Sequence, residues 1–307
     1  MTDREKALQF LMDKRGWIKK NPSETAARLQ SLGMNISETE SRELQSIARS
    51  SIKEAVVTPV RRRRLFFDIE TSPNIVLSWG IGRKVSLSHE NIIAERAIIC
   101  VSWKWEHDDR VFSLTWDPET RSDRQLVEDF ISVIHSADEV VAHNGDGYDV
   151  PWLRARAFYY GIPMSPYIKS VDTKKLANNM YLNSRRLDYI SKFLGGDGKT
   201  HTEYQMWKDI LLNCDKKALA DMVLYCENDV RELESIYHEL KRYNMPATHA
   251  GIIEGKTKCS CPECASTSLT YVKMLVTPKG SISHEMTCDD CGMFMTITDN
   301  TYRNAYS

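Results

Sequence analysis

The sequence predicts a mixed α/β fold in which helices flank a β-sheet, with a small helical module before it and a cysteine-rich tail after it. From Leu65 onward, apolar runs typical of strands alternate with helical segments. The first part of the chain carries helix-start patterns, and most of the cysteines lie in the last part. We therefore divide the chain into a helical module (1–57), an α/β domain (58–245) and a tail (256–307).

The composition is that of a globular protein in a reducing compartment. With 307 residues, 42% of them apolar, the chain can form one sizeable core with smaller appendages. No apolar run approaches the roughly 18 residues that a membrane helix needs, and the charged N-terminus is unlike a signal peptide. We expect a cytoplasmic protein without a membrane partner. The net charge of −1 does not decide whether the partner is nucleic acid.

Two helix starts define the helical module. Asn21 offers an N-cap and Pro22 suits the first helical position, while Ser37 and Glu40 have the spacing of a capping box. Apolar residues at helical spacing follow each start. Such a helical pair can contact DNA as a helix-turn-helix or serve as a docking module for a protein partner. Residues 56–64 are expected to form the linker into the α/β domain.

The elements of the α/β domain follow from apolar periodicity. Strands are expected at Leu65–Ile69, at Ala97–Trp105 and Arg110–Trp116 as a hairpin, and at Glu139–His143. Helices are expected at Asp123–His135, from about Asp149, and over the long amphipathic segment Lys216–Tyr243. Strand runs followed by alternating helices and strands indicate a mixed sheet with helices on its faces.

Carboxylates recur at three places in this pattern. Asp68 and Glu70 are two apart on the first strand, so they point the same way and can bind a hard divalent cation, or can simply be solvated. Asp149 begins a helix after a buried strand, where it can be a ligand or an N-cap. Tyr225 and Asp229 are four apart and share one face of the long helix, which can otherwise be an acidic surface.

Together these three segments resemble the DEDD family of RNase H-like 3′-to-5′ exonucleases. Asp68 and Glu70 match the first motif of that family. Asn144, Tyr148 and Asp149 match the second motif, and Tyr225 and Asp229 match the third. The aromatic residue four before the last aspartate resembles the tyrosine branch (DEDDy). The resemblance covers residues 62 to about 243 and includes the segments Ser170–Ala177 and Arg186–Tyr189.

The resemblance implies an RNase H-like mixed sheet and a two-metal hydrolysis of phosphodiester bonds. By that resemblance, Asp68 would bridge two Mg²⁺ or Mn²⁺ ions, Glu70 and Asp229 would complete the first site, and Asp149 would act mainly on the second. Tyr225 would orient the attacking water, since a phenol ordinarily ionises near pH 10 and is a poor base at neutral pH. The products would be nucleoside 5′-monophosphates.

The expected partner is nucleic acid with a free 3′ end, and single-stranded DNA is our first expectation. Asn144 and Tyr148 are the candidate substrate-binding residues, and the arginines at 61–64 can either pair with phosphates or lie in a solvated linker. Two other functions stay open at this stage. One is a nucleic-acid-binding adaptor without turnover, and the other is a ribonuclease that acts on structured RNA.

The cysteines of the tail form two C-x-x-C pairs around a predicted hairpin, Leu269–Glu285, which has a turn signal at 278–280. This pattern is typical of a zinc ribbon with one structural Zn²⁺. The preferred ligands are the four cysteines of these pairs: Cys261, Cys264, Cys288 and Cys291. Cys259 and His284 are alternative ligands. A ribbon has too little apolar area to fold without its metal, so we expect zinc removal to unfold the tail and spare the core.

The whole layout, a helical module followed by a DEDDy-like domain and a ribbon, resembles small exonucleases encoded by bacteriophages. For such a protein the compartment would be the cytoplasm of the host. The ribbon, like the helical module, can contact nucleic acid or a protein partner.

Overall fold

The structure, a computed structural model, describes residues 2–55, 61–82, 84–196 and 203–306. By the contacts between residues, the chain divides into two compact units. The first comprises Met1–Arg61 and Gly251–Lys258, and the second comprises Arg62–Ala250 and Cys259–Ser307. None of the helices in the described residues is long and apolar enough to cross a membrane.

The first unit contains helices α1 (Asp3–Asp13), α2 (Pro22–Ser31) and α3 (Glu38–Ala55). Both predicted helix starts are confirmed. The Asn21 side chain accepts a hydrogen bond from the Ser23 amide at 3.0 Å, and Ser37 and Glu40 form the reciprocal capping box before α3. Apolar residues of the three helices, such as Leu11, Leu29 and Leu44, form one small core. Residues 56–60 of the predicted linker lie outside the described residues.

The second unit is built on a five-stranded mixed sheet, which confirms the predicted α/β class. Its order is β5-β4-β1-β6-β7, with β1 antiparallel to β4 and parallel to β6. The first seven strands in chain order are β1 (Arg64–Thr71), β2 (Ile75–Val76), β3 (Ile92–Ala94), β4 (Ile98–Trp105), β5 (Val111–Thr115), β6 (Glu139–Ala142) and β7 (Ser170–Asp172). Strands β2 and β3 pair only with each other and were not predicted.

Helices cover both faces of this sheet. They are α4 (Arg124–His135), α5 (Asp149–Tyr160), α6 (Thr173–Leu176), α7 (Leu187–Phe193), α8 (Tyr204–Asn213) and α9 (Lys216–Leu240). One more short helix, α10 (Ala250–Ile253), begins at Ala250, and its remaining residues belong to the first unit. One apolar core joins β1 to α4 and α5, and another joins β1, β6 and β7 to α9. The long predicted helix ends at Leu240, and the three residues after it form a 3₁₀ turn.

The tail folds into a second, antiparallel sheet of order β10-β9-β8. Its elements are β8 (Leu269–Val276), β9 (Ile282–Cys288), β10 (Phe294–Thr298) and α11 (Asp299–Tyr306). The predicted hairpin is confirmed: Gly280 has a φ of +81°, and the Thr277 amide donates to the Ser281 carbonyl at 2.9 Å. β10 and α11 were not predicted.

Candidate active site

The pleat of β1 divides its side chains between the two faces of the sheet. Leu65, Phe67 and Ile69 pack in the core with α4 and α5. Phe66 packs with apolar residues of α9 on the opposite face. Successive side chains of a strand point to opposite faces, so Asp68 and Glu70 share the α9 face with Phe66. The two carboxylates therefore point to the same side of the sheet, as predicted, because they are two residues apart on one strand.

A third carboxylate reaches the same place from α9. Asp229 lies beside Val230, which anchors α9 in the core, and it is 4% exposed. Carboxylate oxygens of Asp68, Glu70 and Asp229 all lie within 4.8 Å of one another. Two oxygens that bind one Mg²⁺ at about 2.1 Å are at most about 4.2 Å apart, so shifts of about 0.6 Å or less bring even the widest pair into range. The donor type and spacing of these three groups thus fit a hard divalent cation.

Asp149 lies next to this group but outside the three-carboxylate cluster found among the described residues. It is the first residue of α5, which has Tyr148 at its N-cap, so the alternative role of Asp149 as an N-cap is wrong. Its Oδ1 accepts a hydrogen bond from the Ile69 amide at 3.2 Å. Burial raises the pKa of the Asp149 carboxyl well above its usual range, and the negative charges of Asp68 and Glu70 raise it further.

The loop between β6 and α5 holds the two predicted substrate-binding residues. Asn144 has a φ of +64°, and its amide donates to Asp172 Oδ1 at 2.9 Å. The hydroxyl groups of Tyr148 and Thr71 are 2.6 Å apart and share a hydrogen bond. A side chain at Gly145 would bring its Cβ within 2.6 Å of the Ala142 Cβ, so the turn requires glycine. Asn144 and Tyr148 therefore both hold the loop to neighbouring strands.

Tyr225 lies one helical turn before Asp229 and is 8% exposed. It lines an open cleft of about 610 Å³ together with His143, Asn144 and three basic side chains. Those basic side chains are Lys174, Arg185 and Arg186. The ammonium group of Lys174 donates to Asn144 Oδ1 at 3.1 Å. Tyr225 therefore lines the same cleft as these three basic side chains, which we call the basic wall. Cationic groups are suited to binding phosphates.

A comparison with models of protein families shows to which family the chain belongs. The model of the RNase_H_2 family, described as RNase_H superfamily, matches residues 65–241, which is more than half of the chain. The chain belongs to the RNase H superfamily. The match spans β1 to the end of α9 and therefore contains the four carboxylates and Tyr225. No curated protein matches the chain.

Two solved structures are similar to this RNase H-like chain at low identity. One is a family B DNA polymerase from the hyperthermophilic archaeon Pyrobaculum calidifontis, with 16% identity and a TM-score of 0.46. The alignment covers 71% of this chain but only 31% of the polymerase. The other is a 3′-exonuclease solved for 3′-end-specific recognition of a histone mRNA stem-loop. It has 10% identity and a TM-score of 0.37, with 95% of this chain and 92% of the exonuclease covered.

Sequence reasoning missed Cys226, a buried thiol at the carboxylate cluster. Its Sγ donates to the Asp68 carbonyl at 3.3 Å and lies 3.5 Å from Asp68 Oδ2. Burial raises the pKa of the Cys226 thiol well above its usual range, with further contributions from Cys100 and Asp68. Cys226 is therefore a neutral donor that holds Asp68. Its position between Tyr225 and Asp229 in the sequence is the signal that could have indicated this contact.

The basic wall of the cleft was also missed as a functional feature. Lys174 lies on α6, whose N-terminus is capped by the Asp172 side chain. Arg185 is held by its backbone carbonyl, which accepts a hydrogen bond from His143 Nε2 at 2.9 Å. Lys174 and Arg186 belong to the segments Ser170–Ala177 and Arg186–Tyr189 that resemble the exonuclease family, and Arg185 directly precedes the second of them. The resemblance included these segments but gave the basic residues no role.

The structure brings the four preferred cysteines of the tail together: Cys261, Cys264, Cys288 and Cys291. The sulfur atoms of Cys261 and Cys291 are 3.6 Å apart, and those of Cys264 and Cys288 are 3.5 Å apart. A disulfide would need about 2.05 Å. Four sulfurs at about 2.3 Å from a tetrahedral zinc ion are about 3.8 Å apart, so the four thiols fit Zn²⁺. The cluster is compatible with the predicted zinc ribbon.

The two alternative zinc ligands lie elsewhere in the tail. Cys259 Sγ donates to the Thr301 carbonyl at 3.5 Å. His284 Nε2 lies 2.9 Å from Asp299 Oδ1, and its ring stacks on that of Tyr302. Both side chains thus contact α11, and neither is a member of the four-cysteine group.

The predictions for the arginines at 61–64 need correction. Arg62 is 5% exposed and Arg64 is fully buried, so these two neither lie in a solvated linker nor face phosphates. Both are paired with buried carboxylates at the N-terminal end of β1. Arg61 and Arg63 are exposed. β1 begins only at Arg64, but exposed and buried residues already alternate from Arg61, so every second arginine is buried.

Proposed function

We propose that the protein is a metal-dependent 3′-to-5′ exonuclease that hydrolyses DNA or RNA to nucleoside 5′-monophosphates. The observation that carries the proposal is the convergence of Asp68, Glu70 and Asp229 within 4.8 Å, with Asp149 beside them, in a domain of the RNase H superfamily. A protein that only binds nucleic acid has no need of such a carboxylate cluster. The order and spacing of these residues resemble the tyrosine branch of the DEDD exonucleases.

The carboxylates have one task in this proposal, which is to hold two divalent cations such as Mg²⁺ or Mn²⁺. When bound, these cations lower the pKa of the attacking water and neutralise charge at the phosphorus and at the leaving oxygen. Asp68, Glu70 and Asp229 would hold one cation, and Asp149 would contribute mainly to the second. Cys226 helps by fixing the orientation of Asp68, since its thiol contacts both the backbone and the side chain of that residue.

Tyr225 has the separate task of orienting the water. It shares the face of α9 with Asp229 and borders the open cleft, so its hydroxyl group can reach a water molecule between the carboxylates and the scissile phosphate. A phenol is a poor base at neutral pH, and therefore its contribution is a hydrogen bond rather than proton removal. This role predicts a moderate effect on rate when the hydroxyl group alone is deleted.

The basic wall of the cleft would hold the strand. Lys174, Arg185 and Arg186 can neutralise phosphates on the 5′ side of the terminal nucleotide, while the carboxylates and cations act on the last phosphodiester bond. Because phosphate contacts do not depend on the base, this wall supports little sequence preference. We place single-stranded DNA first among the substrates and RNA second.

The test compares single-stranded DNA, duplex DNA and structured RNA, each labelled at the 5′ or at the 3′ end, with Mg²⁺ or Mn²⁺ and with chelator. The proposal expects a 5′ label to yield a ladder of shortened products and a 3′ label to appear at once in mononucleotides. Asp68→Asn should be inactive, and Asp221→Asn, an exposed aspartate of the same helix α9, should be fully active. Binding without cleavage on every substrate would favour an adaptor and refute the proposal.

A further inference from the structure

A cluster of buried charges lies where β1 begins, at the end opposite to the carboxylate site. The guanidinium group of Arg64 is fully buried, and it donates to both oxygens of Glu263 at 2.9 Å. It also donates to Glu106 at 2.7 Å and to Glu139. Arg64 and Glu139 are direct neighbours on β1 and β6, so the cluster ties these two central strands together.

Glu263 comes to this cluster from the cysteine-rich tail. It lies between Cys261 and Cys264, in the first of the two C-x-x-C turns. The Glu263 amide donates to the Cys261 sulfur at 3.4 Å, so the position of its backbone depends on the position of that sulfur. Arg62 reinforces the same turn, because it donates to the carbonyl groups of Pro262 at 3.1 Å and Glu263 at 2.7 Å.

The cluster is balanced only while Glu263 is in place. Its members are three cations, Arg62, Arg64 and Lys241, and three carboxylates, Glu106, Glu139 and Glu263. Glu263 alone accepts from all three cations among the ion pairs of the described residues. Withdrawing one partner from a buried ion pair is strongly destabilising, since an uncompensated charge is left inside the protein.

We propose that zinc bound by the ribbon stabilises the RNase H-like core, and that Glu263 is the residue that couples the two. With zinc bound, the thiolates fix the C-x-x-C turn and Glu263 neutralises Arg62 and Arg64. Without zinc the turn loses its shape, Glu263 leaves, and two arginines remain buried with too few carboxylates. Zinc removal therefore destabilises β1 and β6 in addition to the tail, which replaces the expectation that the tail unfolds alone.

Tryptophan fluorescence can follow the core without a signal from the ribbon, because the tail after residue 256 contains no tryptophan. Trp103 and Trp116 are buried in the core of the second unit. Thermal unfolding of the full chain, without added Mg²⁺, is recorded before and after treatment with a zinc-selective chelator. We expect the midpoint of the tryptophan transition to fall by roughly 6 to 20 °C, as for the loss of one buried ion-pair partner in a domain of this size.

Two variants separate the role of Glu263 from a general effect of zinc. Glu263→Gln should lower the midpoint by a similar amount with zinc still bound, as checked by elemental analysis, and chelation should then add little. Glu285→Gln is the matched control, since Glu285 belongs to the ribbon but pairs with Lys273 of the neighbouring strand at 3.2 Å. It should keep the full zinc-dependent shift of the wild type.

Hydrogen exchange of the wild type provides a test that needs no variant to fold. Zinc removal should speed exchange of the β1 and β6 amides by at least about 100-fold. Three results would each overturn the proposal: protein purified without zinc, a chelated wild type with unchanged midpoint and unchanged β1 exchange, or Glu263→Gln with the same zinc-dependent shift as the wild type. None of these measurements uses nucleic acid, so their failure would leave the proposed exonuclease function untouched.

Discussion

At its N-terminal end, β1 places Arg64 among carboxylates from three other parts of the chain, Glu106, Glu139 and Glu263. At its C-terminal end, a few residues later, it places Asp68 and Glu70 near Asp229 of α9. Arg64 and Asp229 are buried, whereas Asp68 and Glu70 are partly exposed. At the N-terminal end of β1 an arginine lies among carboxylates, so opposite charges meet. At the C-terminal end carboxylates lie near one another, so like charges meet.

The difference shows what each end is built to do. A buried ion-pair cluster such as the one around Arg64 has its compensating charges within the chain, so its contribution is to structure. Carboxylates in a cluster repel one another, and the elevated pKa of Asp149 reflects its burial first and the negative charges of Asp68 and Glu70 second. Under the proposed function, divalent cations bound by these carboxylates would relieve the repulsion, as they do at catalytic metal sites.

The largest effect is expected at the carboxylate end. Asp68→Asn or Asp229→Asn should lower nuclease turnover by at least about 1,000-fold, because cation positioning carries most of the catalysis. The fold should be retained, since a neutral amide relieves repulsion. Steady-state assays with a labelled strand, together with a circular dichroism spectrum of each variant, measure both quantities. A folded Asp68→Asn protein with near-normal rates would remove the assignment of this site.

At the arginine end the expected effect is on stability. Arg64→Met removes the charge but keeps most of the side-chain volume, and it leaves Glu139 and Glu263 buried with one cation fewer. We expect the free energy of unfolding to fall by about 3 to 5 kcal/mol. Arg61→Met, at an exposed position of the same segment, should change it by no more than about 0.5 kcal/mol. Urea unfolding followed by tryptophan fluorescence measures both, and equal effects of the two substitutions would contradict the comparison.

Tyr225→Phe should have an intermediate effect, confined to the chemical step. The ring packing remains, and one hydrogen bond to the attacking water is lost, which costs about 2 to 4 kcal/mol, or roughly 30-fold to 1,000-fold in rate. Substrate affinity should scarcely change. Single-turnover kinetics separate the two quantities, and an unchanged chemical step would reduce Tyr225 to a packing residue and make the match to the tyrosine branch superficial.

The smallest expected effect is a gain in stability, opposite in sign to the loss expected for Arg64→Met. Asp149→Asn should raise the free energy of unfolding of the metal-free protein by about 1 kcal/mol or more, because the cost of burying an ionisable carboxyl group beside Asp68 is removed while the amide oxygen can still accept from Ile69. Urea unfolding in the presence of chelator measures the gain. A loss of stability would show that the carboxylate cluster is not under electrostatic strain.

Local patterns in the sequence predicted most of the fold. Strand alternation and helical periodicity located β1, β4, β5, β6, α4, α5 and α9, because each is long enough to show its period. β2 and β3 have two and three residues, which is too short for any period to appear. β10 could have been found, since Met295 and Ile297 alternate with exposed residues over five positions.

Part of the candidate site could be predicted from the sequence for the same reason. Asp68 with Glu70, and Tyr225 with Asp229, are pairs that one strand or one helix brings together, so spacing alone placed them side by side. The burial of Arg62 and Arg64 could not be predicted from the sequence. Four identical letters do not show which two point inward, and their partner Glu263 lies about 200 positions away in another motif. Contacts that depend on the docking of distant segments leave no local pattern.

The most direct test of the electrostatic account is a titration with Mn²⁺ in which electron paramagnetic resonance counts bound ions and thermal unfolding reports their effect. The zinc content is fixed at one ion per chain beforehand. We predict that the wild type binds two Mn²⁺ ions and becomes more stable as they bind. The double variant Asp68→Asn/Asp229→Asn should lose both the binding and the gain in stability. Equal binding and equal stabilisation in the two proteins would contradict the account.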